Sequence, residues 1–128
     1  MHYVHIVALL AVIQFIMFGV LVGHARGKYG IKAPAMTGNE HFERAARVQM
    51  NTMEQLVCFL PALFIAAVYW PPIYVAAVGV VYLLGRMIYR QAYVANPQKR
   101  GPGFLLTFLP TMLLALAGLV GAVLRSFA

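Results

Sequence analysis

Apolar residues run along the chain in four long blocks, and the polar and helix-breaking residues collect between them. The first block, Val4–Val22, is interrupted only by His5 and Gln14. A polar stretch over 41–55 then passes without a break signal into apolar Leu56–Trp70. Trp70-Pro71-Pro72 closes that block, because tandem prolines do not sit inside a helix. The third block is apolar from Ile73 to Gly85 and mixed as far as Tyr93. The stretch 95–103, with Pro97, Pro102 and two glycines, separates it from Phe104–Leu124. A membrane helix needs about 20 predominantly apolar residues. The pattern predicts one all-α domain over 1–128, an integral membrane four-helix bundle with spans at about 4–23, 42–70, 73–94 and 104–125. The leading Met-His-Tyr carries no Lys or Arg, so the first block reads as a span and not as a signal peptide.

Composition agrees with the pattern. The chain is 62% hydrophobic and 10% charged, against about 25% charged for a soluble domain. Its only acids are Glu40, Glu43 and Glu54, too few to solvate a water-soluble surface, and disorder is excluded by the same apolarity. The net charge of +7 does not point to nucleic acid, because most of the basic residues border apolar blocks. There they set topology, touch headgroups or bind an anion. Arg26, Lys28 and Lys32 lie in the predicted first loop, Lys99 and Arg100 in the third, and no charge in the second. The positive-inside rule therefore places loops one and three in the cytoplasm, and the short loops favour a bacterial inner membrane. The single cysteine, Cys58, excludes an intrachain disulfide and a cysteine-cluster metal site. His2 and His5 have helical ligand spacing, but two histidines near a terminus predict no metal.

Chemistry concentrates in the second and third helices. Arg44, Arg47, Asn51 and Glu54 follow one another at spacings of three, four and three. At about 100° per residue they occupy one arc of roughly 80°. Tyr82, Arg86, Tyr89 and Tyr93 make a second stripe, with Arg90 at its edge. Both stripes sit toward the same side of the membrane. Charged groups there are costly unless they face the protein interior and are paired, so the stripes are predicted to face each other, or a neighbouring subunit, across a polar cavity. Arginines near helix ends also snorkel to headgroups, which competes for Arg44 and Arg90 taken singly. Four arginines against Glu54 leave excess positive charge, which suits a carboxylate or phosphate ligand. A small zwitterion with more carboxylates than amines fits, and a peptide-like thiol such as glutathione is one of several choices.

Phe42-Glu43-Arg44-x-x-Arg47-x-x-x-Asn51-x-x-Glu54 is similar to the signature of the MAPEG family, the membrane-associated proteins in eicosanoid and glutathione metabolism. Val81-Tyr82-Leu83-Leu84-x-Arg86-x-x-Tyr89-x-x-x-Tyr93, with Arg100 following, is a second match. The resemblance covers nearly the whole chain and is nearest to the microsomal glutathione S-transferase and cysteinyl-leukotriene synthase branches. It implies a homotrimer that binds glutathione as co-substrate between subunits. Arg47, Asn51, Glu54, Arg86, Tyr89 and Tyr93 would then serve from one subunit, and Arg26 and Gln49 from its neighbour. It further implies Arg100 as the cation on the thiolate, with Tyr93 or Tyr89 as the weaker candidate. Where the synthases carry a second arginine and a tyrosine, this chain has Gly27 and Gln55. The resemblance thus implies a general glutathione transferase or peroxidase acting on a lipophilic electrophile or lipid hydroperoxide that arrives through membrane lipid. A non-enzymatic lipid-binding member of the family would be expected to lack the intact stripe. A small four-helix cation exporter should not surround its one membrane-embedded acid with arginines.

Overall fold

The first apolar block folds as α1, His2–Tyr29, in a computed structural model that describes residues 1–128. The helix runs past the expected end near 23, so Arg26 and Lys28 belong to its last turn and not to a loop. Nothing between Val22 and Tyr29 breaks a helix, and basic side chains there complement the negative end of the helix dipole. Gly30 stops it in the left-handed conformation, φ 68°, which glycine adopts without steric cost. The amide of Ile31 then donates to the Arg26 carbonyl at 3.0 Å.

α2 spans Glu40–Tyr69, with Asn39 as its N-cap. The Asn39 side chain accepts from the amides of His41 and Phe42 at 2.9 and 3.1 Å, and Glu43 reaches back to the amide of Gly38. These bonds satisfy amides that a helix start leaves unpaired. Trp70 and Pro71 make the turn, and α3, Pro72–Ala95, begins on the second proline. Proline suits the first helical position, where its missing N–H is no loss.

The expected loop over 95–103 is much shorter in the structure. A single 3-10 turn, Pro97–Lys99, follows Asn96, and α4 runs over Gly101–Ser126. Gly101-Pro102-Gly103 is therefore helix. Pro102 sits in the first turn, where proline is tolerated, and Gly103 is held by packing: a Cβ there would lie 2.4 Å from the backbone nitrogen of Tyr89. α3 and α4 also close on each other at Gly85, where a Cβ would lie 2.6 Å from the backbone of Leu106. Both α2 and α4 continue through their internal prolines, Pro61 and Pro110.

All four helices are long and apolar enough to cross a membrane. The core joins Val4, Val7 and Ala11 of α1 to Phe59, Leu63 and Ala66 of α2, Val75 and Tyr82 of α3 and Leu114 of α4. Phe59 and Tyr82 stack with their ring centroids 3.8 Å apart. The outside of the spans is largely apolar too: Leu9, Val20, Leu119 and Leu124 are each more than 60% exposed. In water such a surface would aggregate, whereas in a bilayer it is the surface lipid requires. The fold is all-α, an integral membrane four-helix bundle.

Candidate functional site

The ends of α2, α3 and α4 that meet near the 3-10 turn border an open cavity of about 530 Å³, within the range of about 300–1,000 Å³ typical of small-molecule sites. Arg47, Met50, Asn51 and Glu54 line it from α2, Tyr89 and Tyr93 from α3, and Arg100 and Phe104 from the start of α4. The three-and-four spacing on α2 puts Arg47, Asn51 and Glu54 on one side of that helix. The shortened connection brings Arg100 to the rim, where its guanidinium donates to the Pro97 carbonyl at 2.8 Å. Tyr89 and Tyr93 lie side by side, ring centroids 5.6 Å apart.

Most of the polar groups of this cavity are free. The side chains of Arg47, Glu54, Tyr89 and Tyr93 make no hydrogen bond or ion pair within the chain, whose one ion pair joins Arg44 to Glu40. Two arginines, Arg47 and Arg100, face the single carboxylate of Glu54. The wall thus offers net positive charge, one anionic acceptor, two phenols and, at Met50 and Phe104, an apolar edge. It can hold a small ligand with excess carboxylate and leave part of it against apolar surface.

The other arginines of the sequence pattern lie elsewhere, which corrects the expected count of four around the cavity. Arg44 pairs with Glu40 and donates to the Val94 and Ala95 carbonyls at 3.1 and 3.3 Å, tying the start of α2 to the end of α3. Arg90 turns toward α1, its guanidinium 5.8 Å from the centre of the Phe18 ring. Tyr82 lies deep in the core. Arg86 is wholly buried and absent from the cavity wall. Its Nε donates to Thr107 Oγ1 at 2.9 Å, and its Nη1 to Asn51 Oδ1 and Thr52 Oγ1 at 2.8 and 3.1 Å. It touches the site through Asn51.

Arg26 and Gln49 lie outside this cavity in their own chain. Arg26 donates to the Ala35 carbonyl at 2.6 Å and packs over the Phe42 ring, 4.8 Å from its centre. Gln49 lines a separate crevice with Phe15, Met36 and Met53. Its amide occupies the space that a side chain at Gly19 would need, 2.8 Å from where that Cβ would stand. Cys58 is exposed, in an apolar groove between α2 and α4. Sequence reasoning passed over Met50 and Phe104, which carry no polar signal. It also passed over Thr52 and Thr107; a hydroxyl at Thr107, inside an apolar block that holds one other, Thr111, was the available hint.

A membrane bundle of four helices with an arginine-bearing polar cavity at the meeting of its second, third and fourth helices defines the class. The chain belongs to the MAPEG family, whose model matches residues 4–120. An uncharacterised protein of Synechocystis is 44% identical over 90% of this chain and 84% of its own length. Human microsomal glutathione S-transferase 2 is 36% identical over 90% of this chain and 78% of its own. Bovine leukotriene C4 synthase is 35% identical over 73% of this chain and 63% of its own. With four apolar helices and this membership, the chain is a multi-pass membrane protein.

Proposed function

We propose that the protein is a glutathione transferase of the membrane, binding glutathione in the cavity of Arg47, Asn51, Glu54, Tyr89, Tyr93 and Arg100. The observation that carries this reading is the charge of that cavity wall, two guanidiniums against one carboxylate beside an apolar edge, with Arg47, Glu54, Tyr89 and Tyr93 unengaged within the chain. Relatives named for glutathione transfer and leukotriene synthesis support the same chemistry. A free thiol has a pKa of about 8.5 and is mostly protonated at neutral pH. A guanidinium beside the sulfur favours the thiolate, and Arg100, at the rim, is the residue assigned that role, with the phenol of Tyr93 second. The thiolate attacks a carbon of a lipophilic electrophile, forming a carbon–sulfur bond as a leaving group, a ring oxygen or the π system of the substrate takes the displaced electron pair, and Met50 and Phe104 face the lipid-soluble partner. Attack by the same thiolate on the outer oxygen of a lipid hydroperoxide would break the O–O bond, release the lipid alcohol and leave a glutathione sulfenic acid, which a second glutathione converts to the disulfide and water. That would make the protein a peroxidase.

The whole chain serves as one four-span domain, and the active assembly is a homotrimer in which the neighbour's Arg26 and Gln49 close the site. What supports this is the openness of the protomer. Glu54 is exposed about 21 Å along α2 from its start at 1.5 Å per residue, and a carboxylate at such a depth needs protein cover. Basic residues flanking the first and third connections favour a cytoplasmic position for both, and the short connections favour a bacterial inner membrane.

The test is ultraviolet difference absorbance of the detergent-purified protein on adding glutathione, with Arg100→Ala beside it. A saturable thiolate band in the wild type that the variant loses is the expected result. A band unchanged in the variant moves the role to Arg26 or a tyrosine. No binding by folded wild type overturns the reading and favours a lipid-binding protein without activity.

A further inference from the structure

A guanidinium has donors only, and that fixes which way Asn51 faces. The hydroxyl of Thr107 donates to the Gly103 carbonyl at 3.0 Å, so its lone pair receives Arg86 Nε. The hydroxyl of Thr52 donates to the Val48 carbonyl at 2.7 Å, so its lone pair receives Arg86 Nη1. The same Nη1 meets Asn51 at 2.8 Å, and the only group Asn51 can offer it is Oδ1. An amide whose oxygen is held from behind presents its NH2 forward. Arg86 has no solvent exposure and no acid beside it, and its face packs on the Tyr89 ring at 4.3 Å. Its other terminal nitrogen, Nη2, is buried without a partner, so Nε and Nη1 alone anchor the guanidinium.

We propose that Arg86 is a positioning residue that holds the Oδ1 of Asn51 turned back and its NH2 toward the cavity, so that the ligand atom against Asn51 is an acceptor, a carboxylate or peptide carbonyl oxygen, and not an N–H. This rests on the glutathione reading and deepens it. The polarity of Asn51 sets the orientation of the peptide in the cavity, with an oxygen at Asn51, while Glu54 is the group left to receive the ammonium. An asparagine free to turn would accept either end of the ligand.

Asparagine occurs three times, at Asn39, Asn51 and Asn96, so selectively 15N-asparagine-labelled protein in micelles gives three side-chain NH2 signals. Asn51→Asp identifies the middle one by its loss. Glutathione is expected to shift the Asn51 signal in the wild type. Asn51→Asp is expected to stay folded, because the carboxylate gives buried Arg86 a counter-charge. It turns an acceptor toward the cavity, and glutathione binding should weaken by roughly 10- to 100-fold, the range for a buried polar pair left mismatched. Arg86→Lys keeps the charge but loses the fork. It should raise KM for glutathione about tenfold and leave kcat within about twofold, the signature of lost uniform binding. Saturable glutathione binding with an unmoved Asn51 signal, or undiminished affinity in Asn51→Asp, overturns the inference and leaves the proposed function standing. Absence of glutathione binding in the wild type overturns the proposed function, and the inference with it.

Discussion

Arg86 carries a full charge into the bundle with Thr52, Asn51 and Thr107 as its only hydrogen-bond partners. Thr107→Val keeps the shape and removes one acceptor, leaving Nε unpaired in a buried position. That variant should lose about 1–3 kcal/mol of stability, the cost of an unsatisfied buried donor, read as thermal unfolding in detergent. Thr111→Val is the control. Its hydroxyl donates only to the Thr107 carbonyl at 2.9 Å, and nothing depends on it in return, so the change should stay within about 0.5 kcal/mol. At this scale the sequence was half legible. Helical spacing was enough to group Arg47, Asn51 and Glu54, because a period depends on the chain alone. Arg44, Arg86 and Arg90 share the residue type but part company in three dimensions, toward Glu40, Thr107 and Phe18. Arg86 and Arg90 find their partners on other helices, which one-dimensional spacing does not show, whereas Glu40 stands one turn before Arg44, at a spacing the sequence does show.

At the scale of the helices, number and order were legible and ends were not. Four blocks of apolar residues give four helices because backbone in lipid must satisfy itself. The ends depend on contacts between helices. Gly101-Pro102-Gly103 reads locally as a loop, yet Gly103 lets α4 start against the backbone of Tyr89. Gly103→Ala should therefore force α3 and α4 apart at the site, costing about 1–3 kcal/mol as overpacking does, and should weaken glutathione binding through displacement of Arg100. Gly23→Ala is the contrast, since a Cβ there meets nothing within 4 Å. In mid-helix it should stabilise the subunit by about 0.5–1 kcal/mol through backbone entropy. The Gly19-x-x-x-Gly23 spacing resembles a helix-packing pattern, but within the subunit only Gly19 is close to anything, and that neighbour is the Gln49 side chain. Comparing thermal unfolding of the two alanine variants checks both expectations.

At the scale of the whole molecule the cavity opens onto the outside of the subunit. Arg47, Glu54 and Arg100 are exposed in the single subunit, and Arg26 and Gln49 face away from the cavity of their own chain. Under the proposed trimer each site takes Arg100 from one subunit and Arg26 from the next. Arg26→Ala and Arg100→Ala should then each abolish most glutathione transfer when made alone. Co-expressed, they should restore part of it: where a subunit carrying Arg26→Ala meets a neighbour carrying Arg100→Ala in the right order, both arginines of that site are intact. Random mixing around a three-fold ring makes about a quarter of the sites whole. Activity near that fraction of wild type, absent when the two purified variants are merely combined in detergent without exchange, would place the site between subunits. Activity no higher than that of either variant alone, in mixed trimers verified by two affinity tags, would return the whole site to one chain and leave Arg26 to its own loop.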